Sequence, residues 1–570
     1  MTSSAASGET PDLDAAADQA APLDALLVDA ALGPVRRWAP NLSTAAFAAR
    51  LASQPSTTAR RLAGLAGELA RVGTGTSTLA PSRRDRRFTD PAWTENPILR
   101  RLVQAYLAAG QTLQQLVADA DLDWRDDQRV RFLVENLVEA AAPSNIPLVN
   151  PTSAKTAIDT GGLSLLRGAV NFARDMAAPP RIPSMVDTSG FELGRNIATT
   201  TGAVVLRTEV FELIQYRPRT GTVRKTPLLI APPTINKYYA VDLAPGRSLI
   251  EYLVGSGQQV LVISWRNPNV EHAGWGLDTY VQGIVEALDA TERVCHSAHT
   301  VLLGMCSGGI IASLAAGYLA ATAQLGRLAG FALAVTVLDN ERAGVGAALM
   351  DRRIATAATA ASRRRGYLDG RSLAEVFAWL RPGDLIWNYW VNDYLLGRKP
   401  PPFDILFWNN DTTRMTAALH ADFIDLALDN RVLKPGEAKV LGVPVDLSAI
   451  DTDSYIIAGI ADHLTPWQNC YRSTQLLGGT SRFVLSTSGH IAALVNPPGN
   501  PKASYRTNQA NPAEPREWLA GAESHQDSWW PDFVGWLTDR GGGSKSAPHG
   551  LGGGGLAPLV DAPGTYVFDP

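Results

Sequence analysis

The stretch Val301-Leu302-Leu303-Gly304-Met305-Cys306-Ser307-Gly308-Gly309 constrains this chain more than any other. It reads as a buried strand running into a Gly-x-Cys-x-Gly turn and then a helix of small residues. A turn that sharp leaves no room for side chains flanking its central residue, because they would strike the adjoining strand or helix. The cysteine is thereby presented at a helix N-terminus, where the helix dipole favours a thiolate. A thiolate attacks thioesters readily and leaves the acyl group activated as a new thioester. The chemistry points to acyl transfer rather than simple hydrolysis.

The spacing is that of the nucleophile elbow of α/β-hydrolases, with a thiol in place of the hydroxyl. The surrounding sequence supports an α/β core. Short apolar runs at 227–231, 260–264, 300–304, 331–338, 454–460 and 482–485 alternate with helical patterns after Gly202. That rhythm predicts a mostly parallel sheet with helices on both faces and reactive groups at the strands' carboxyl ends.

Residues 1–190 read as a mainly helical domain, with a partly flexible Ala-rich first ~80 residues and helical spacing at 57–72 and 97–142. The basic run Arg83-Arg84-Asp85-Arg86-Arg87 reads as a solvated face. Residues 191–540 form the catalytic domain. Within it, residues 341–441 break the strand rhythm with helical, aromatic text, including Trp379, Trp387, Trp390 and Trp408. An insertion there is expected to cap the active site, exclude water and shape an acyl pocket. The Gly-rich stretch 541–570 is expected to be a flexible tail, with residues 563–568 docking back as a short extended piece.

Composition excludes several classes. Net charge of −4 gives no reason to expect nucleic acid. Three cysteines, Cys295, Cys306 and Cys470, are too few for a disulfide framework and fit a reducing cytoplasm. The N-terminus lacks the basic and apolar regions of a signal peptide, and no segment reads as transmembrane. No metal-ligand cluster and no Gly-x-Gly-x-x-Gly nucleotide fingerprint is present, so no cofactor or metal is expected. Four late tryptophans, Trp518, Trp529, Trp530 and Trp536, read as core packing or as contact with an apolar surface.

A cysteine nucleophile needs a base, and the base needs an orienting group. In this fold the chain order is nucleophile, acid, histidine. Asp462 follows the strand candidate at 454–460, and His490 follows the one at 482–485. His463 adjoins Asp462 and competes for the base role, but the loop after the final strand favours His490. Cys295 and Cys470 lie in no elbow and read as inert. The oxyanion donors are expected to be the backbone N–H of Ser307 and that of Ile235, with Thr234 as the neighbouring alternative.

Gly-Met-Cys-Ser-Gly-Gly at 304–309, Pro-Pro-Thr-Ile-Asn-Lys-Tyr-Tyr at 232–239, Ser-Trp-Arg-Asn-Pro at 264–268, Gly-Asp-Leu-Ile-Trp-Asn-Tyr-Trp at 383–390 and Ser-Gly-His-Ile at 488–491 together resemble polyhydroxyalkanoate synthases. The resemblance runs from about Phe88 to the end. Text around 496–502, 527–530 and 564–567 looks most like the single-component type that favours medium-length hydroxyacyl chains. It implies polymerisation of (R)-3-hydroxyacyl-CoA into polyester with release of CoA. Cys306 would be the acylated nucleophile and His490 its activating base. Asp462 would help activate the incoming 3-hydroxyl, directly or through His490. The resemblance also implies a homodimer in the cytoplasm, associated with polyester granules. A cysteine-dependent hydrolase or thioesterase of the same fold is the nearest rival. A non-catalytic granule-binding scaffold is the rival from another class.

Overall fold

The computed structural model describes Ala30 and residues 42–83, 85–340, 352–462 and 464–570. The chain divides into two compact units. One holds the described residues of Phe191–Gly370 and Asp411–Pro570, and the other holds residues 42–190 with Arg371–Asn410. The segment expected as one cap, 341–441, is therefore split between the two units. Half of the first ~80 residues, expected to be partly flexible, falls outside the described residues, and so does His463.

The first unit is built on an eleven-stranded sheet. In chain order its strands are β1 (Gly202–Arg207), β2 (Phe211–Tyr216), β3 (Leu228–Ala231), β4 (Val260–Trp265), β5 (Thr300–Met305), β6 (Leu328–Ala334), β7 (Ser454–Gly459), β8 (Ser481–Ser486), β9 (Ser504–Thr507), β10 (Glu523–Gln526) and β11 (Val560–Asp561). Across the sheet they lie in the order β10-β9-β8-β7-β6-β5-β3-β4-β2-β1-β11. The central block from β4 to β8 is parallel. Its strands are buried almost throughout and mainly apolar, as in a sheet covered on both faces. The flanking pairings are antiparallel. Polar residues interrupt the apolar runs of β2, β9 and β10, and β11 is only two residues long, so these strands give a weak signal in the sequence.

The run expected as a strand at 331–338 is displaced. Strand β6 starts at Leu328 and ends at Ala334, because Val335 adopts φ +44° and turns the chain. Its β-branched neighbours Thr336 and Val337 suggest a strand by propensity, but Thr336 Oγ1 instead donates to the carbonyls of Ala334 (3.0 Å) and Cys306 (3.3 Å).

The Gly-rich tail is woven into this unit. Ser544–Ser546 pairs antiparallel with Thr222–Arg224, and β11 covers the free edge of β1. Residues 563–568 dock as expected, but Tyr566–Phe568 forms a 3-10 turn rather than an extended piece. The buried Glu212 carboxylate accepts from the N–H groups of Thr565 (2.8 Å) and Tyr566 (3.0 Å). Lys237 Nζ donates to the carbonyls of Val567 (2.6 Å) and Asp569 (2.8 Å). These partners, distant in sequence, hold a stretch whose composition alone suggests freedom.

The late tryptophans are core residues. Trp518, Trp529, Trp530 and Trp536 are buried, and Tyr455 packs against Trp529, Phe533 and Trp536. They are not available to an apolar surface.

The second unit is helical. Its long helices are Pro55–Thr74, Pro97–Asp119, Trp124–Ala140 and Leu163–Ala177. Asn96 caps Pro97–Asp119 by accepting from the N–H groups of Ile98 and Leu99, with Pro97 at the position where a missing N–H costs nothing. The helical expectation at 97–142 is thus met by two helices. The basic run is not wholly solvated. Arg87 is partly buried, paired with Asp85 and Glu139 at 2.8 Å each and donating to Tyr106 Oη at 3.1 Å. Arg84 lies outside the described residues.

Candidate active site

Strand β5 delivers Cys306 at its carboxyl end, and the helix Ser307–Ala321 departs immediately afterwards. Cys306 sits at φ +49°, ψ −123°, a strained conformation for any residue with a Cβ. Surrounding bonds hold it there. Its N–H donates to Ala334 O at 2.9 Å, and its carbonyl accepts from Gly309 N–H at 2.9 Å. Sterics explain the two glycines of the turn. A Cβ on Gly304 would lie 2.6 Å from Ala312 Cβ, and one on Gly308 would lie 2.2 Å from Pro232 O. Cys306 itself is only partly buried.

Asp462 and His490 follow β7 and β8, as their sequence positions predict. The structure brings them together: His490 Nδ1 lies 2.7 Å from Asp462 Oδ2. That contact keeps a proton on Nδ1 and leaves Nε2 to exchange its proton with the reacting groups. Asp462 is buried, and its Oδ1 accepts from the N–H groups of Leu464 (2.8 Å) and Thr465 (3.0 Å). Thr465 Oγ1 donates to Oδ2 at 2.6 Å. With His490 counted, the carboxylate receives at least four hydrogen bonds, about as many as its lone pairs accommodate.

Burial disfavours protonation of His490. Attraction from Asp462 and Cys306, with hydrogen bonds to both, outweighs it and raises the imidazole from its ordinary 6.5 to about 10. All three residues therefore form one coupled unit. The other cysteines are set apart by environment. Burial pushes the Cys295 thiol up to about 12 and the Cys470 thiol well above its usual range. Cys470 Sγ lies 3.7 Å from Thr465 O, behind the acid.

The two oxyanion candidates on the 232–239 loop are distinguished by one bond. Thr234 N–H donates to Ser307 Oγ at 3.1 Å, which commits it. Among the described residues Ile235 N–H has no acceptor, and neither does Ser307 N–H at the start of its helix.

A small cavity of about 40 Å³ opens beside Cys306. Its walls include Ile310, Val337, Leu338, Phe423, Leu426 and Thr465, so it is largely apolar. Phe423 and Leu426 belong to the helix Ala417–Leu428, the part of the expected cap that lies in the same unit as the nucleophile. Thr465 escaped the sequence reading. The available signal is its place three residues after an acidic residue at a strand end, a spacing at which an Asp side chain accepts from following backbone N–H groups.

Two family models match the chain: "Poly-beta-hydroxybutyrate polymerase (PhaC) N-terminus" over residues 84–253, and the alpha/beta hydrolase fold over residues 233–497. Poly(3-hydroxyalkanoate) polymerase 1 of Ectopseudomonas oleovorans is 46% identical over 516 residues, covering 90% of this chain and 92% of that protein. The chain belongs to the poly(3-hydroxyalkanoate) polymerase family. Poly(3-hydroxyalkanoate) polymerase subunit PhaC of Cupriavidus necator is 40% identical over 490 residues, covering 85% of this polymerase-family chain and 83% of its own length. The α/β-hydrolase fold expected from the elbow is shown, preceded by the helical region that the first family model matches in part. Among the described residues, no helix is long and apolar enough to cross a membrane.

Proposed function

We propose that this enzyme polymerises (R)-3-hydroxyacyl-CoA thioesters into polyester through an acyl group carried on Cys306. The observation that carries the reading is a partly exposed cysteine on a strained turn, coupled to a buried His490–Asp462 pair, in a chain of the polymerase family. Cys306 Sγ, its proton passed to His490 Nε2, attacks the substrate's thioester carbonyl, and the oxyanion is met by the N–H groups of Ser307 and Ile235. The C–S bond to CoA breaks, and His490 returns the proton to the departing thiol. The 3-hydroxyl of a second acyl group then attacks the Cys306 thioester. His490 Nε2 takes the hydroxyl proton, an ester C–O bond forms, and Cys306 is released.

Asp462 acts through His490 in this scheme. Its carboxylate is buried and already receives its full set of donors, which leaves little capacity to bind an incoming hydroxyl. The apolar walls beside Cys306 favour attack by a hydroxyl over attack by water, which supports polymerase over thioesterase.

Association with the polyester granule is part of the same proposal. The described residues of 42–190 expose many large apolar side chains, among them Leu42, Ile98, Leu148, Ile158 and Leu166. A homodimer and a cytoplasmic location are carried over from the family resemblance. So is the preference for medium-length chains, with no bound cofactor beyond the CoA that the substrate brings.

Purified protein is given a series of (R)-3-hydroxyacyl-CoA substrates, and CoA release is measured alongside product size. High-mass polyester is expected, with the most active chain length identifying the preference. Monomeric hydroxy acid alone would mean a thioesterase, and no CoA release at any length would favour a scaffold.

A further inference from the structure

The Thr465 hydroxyl stands where the acid and the base meet. Its Oγ1 donates to Asp462 Oδ2 at 2.6 Å, the same oxygen that receives His490 Nδ1–H at 2.7 Å. It also lies 3.2 Å from His490 Nδ1, so the Nδ1 proton is shared in a three-centre arrangement. Its backbone N–H binds the other carboxylate oxygen at 3.0 Å, and the residue is buried against the cavity that holds Cys306. One residue thus contacts the acid through two atoms, the base through one, and the wall beside the nucleophile.

We infer that Thr465 is a positioning residue of the polymerase reaction, whose hydroxyl sets the orientation and basicity of His490 through Asp462. The inference rests on the proposed function for its reaction, but not for its geometry. Of the hydroxyl's two contacts with the pair, the one to Asp462 dominates, being shorter and made to a charged oxygen. By donating to Oδ2 the hydroxyl draws charge from the carboxylate, and so tempers the attraction that protonates His490. Among the described residues, the titratable groups acting on His490 are Asp462 and Cys306, with Cys470 lying behind Asp462. Removing the hydroxyl strengthens the Asp462–His490 attraction and loosens the imidazole's alignment. His490 then stays protonated to higher pH and is a poorer acceptor of the hydroxyl proton during elongation.

Thr465→Val keeps the shape and removes the hydroxyl, whereas Thr465→Ser keeps the hydroxyl and removes a methyl group. The full-length variants are compared by kcat for CoA release across pH. Thr465→Val is expected to lower kcat at neutral pH roughly tenfold, the size of one lost hydrogen bond to a charged group, and to move the acid limb to higher pH. Thr465→Ser is expected to keep both near wild type. A Val variant with the wild-type limb and rate, or a Ser variant as impaired as Val, overturns the inference.

A second measurement needs no hydroxyacyl substrate. The pH dependence of Cys306 alkylation by iodoacetamide, followed by mass spectrometry of its peptide, reports on the Cys306–His490–Asp462 unit directly. Its midpoint should move in Thr465→Val and stay in Thr465→Ser. If wild-type protein releases no CoA while this pattern holds, the proposed reaction fails and the positioning role stands. If CoA is released but the alkylation midpoints coincide, the positioning role fails and the reaction stands.

Discussion

The turn that carries Cys306 and the shelf that carries Asp462 and His490 are held by different physics. At the turn the constraint is steric. Backbone runs so close to Gly304 and Gly308 that a single Cβ has nowhere to go, and φ +49° at Cys306 is imposed from outside. On the shelf the constraint is polar. Asp462, His490 and Thr465 are buried together, and every bond among them depends on charge and hydrogen position. A steric constraint tolerates no addition of volume. A polar one tolerates a conservative change of shape but not a change of charge or donor.

Asp462→Asn should separate the two most sharply. Elongation is expected to fall about 10³–10⁴-fold, because an amide cannot hold the imidazole in the right tautomer. Acylation of Cys306, followed by rapid-quench mass analysis, should slow as well but stay detectable, because the same imidazole serves both transfers while the turn still presents the thiol. Acylation at the wild-type rate beside collapsed elongation would mean that Asp462 acts on the incoming hydroxyl directly.

Gly308→Ala attacks the turn alone. The added Cβ meets Pro232 O at 2.2 Å and Ala231 O at 2.6 Å, backbone atoms where β3 runs into the loop leading to Ile235. A loss of about 1–3 kcal/mol in stability is expected from the forced shift. Turnover should fall more than about a hundredfold from misplacement of the nucleophile. Denaturant unfolding together with CoA release checks both. An unchanged midpoint would mean that the loop yields freely.

Ser307→Ala is milder and sharpens the picture of the oxyanion loop. Thr234 N–H loses its acceptor, at a cost of about 1–2 kcal/mol if it stays unpaired. A several-fold fall in acylation rate is expected, with no shift in the pH limb that reports His490.

A further test is the pH dependence of stability. Burial lowers the affinity of His490 for its proton, but Asp462 and Cys306 raise the pKa to about 10, against about 6.5 when unfolded. The folded state therefore binds the proton more tightly. This contribution is fully present below about pH 6.5 and is lost as pH rises through about 10. Denaturant midpoints should fall across that window in wild type and fall less steeply in Asp462→Asn.

The same division explains what the sequence reveals. Steric demands leave glycines, so Gly304, Cys306 and Gly308 are legible at once, and Asp462 and His490 are legible as the residues following apolar strands. The roles of Thr234 and Thr465 are not, because they rest on where hydroxyl and amide groups point after folding. Ile235 is separated from Thr234 only by the bond from Thr234 to Ser307 Oγ. Beyond the site, the β-branched text at 335–337 suggests strand until the positive φ at Val335 ends it. The tail reads as loose because its partners, Glu212 and Lys237, lie more than three hundred residues away.

The central claim is that Cys306 carries the acyl group. An acyl-CoA lacking the 3-hydroxyl allows the first transfer and offers no nucleophile for the second. Incubation with the wild-type protein should release CoA and add one acyl group per chain, on the peptide containing Cys306. CoA release with that peptide unmodified, or an acyl group on another residue, would contradict the account.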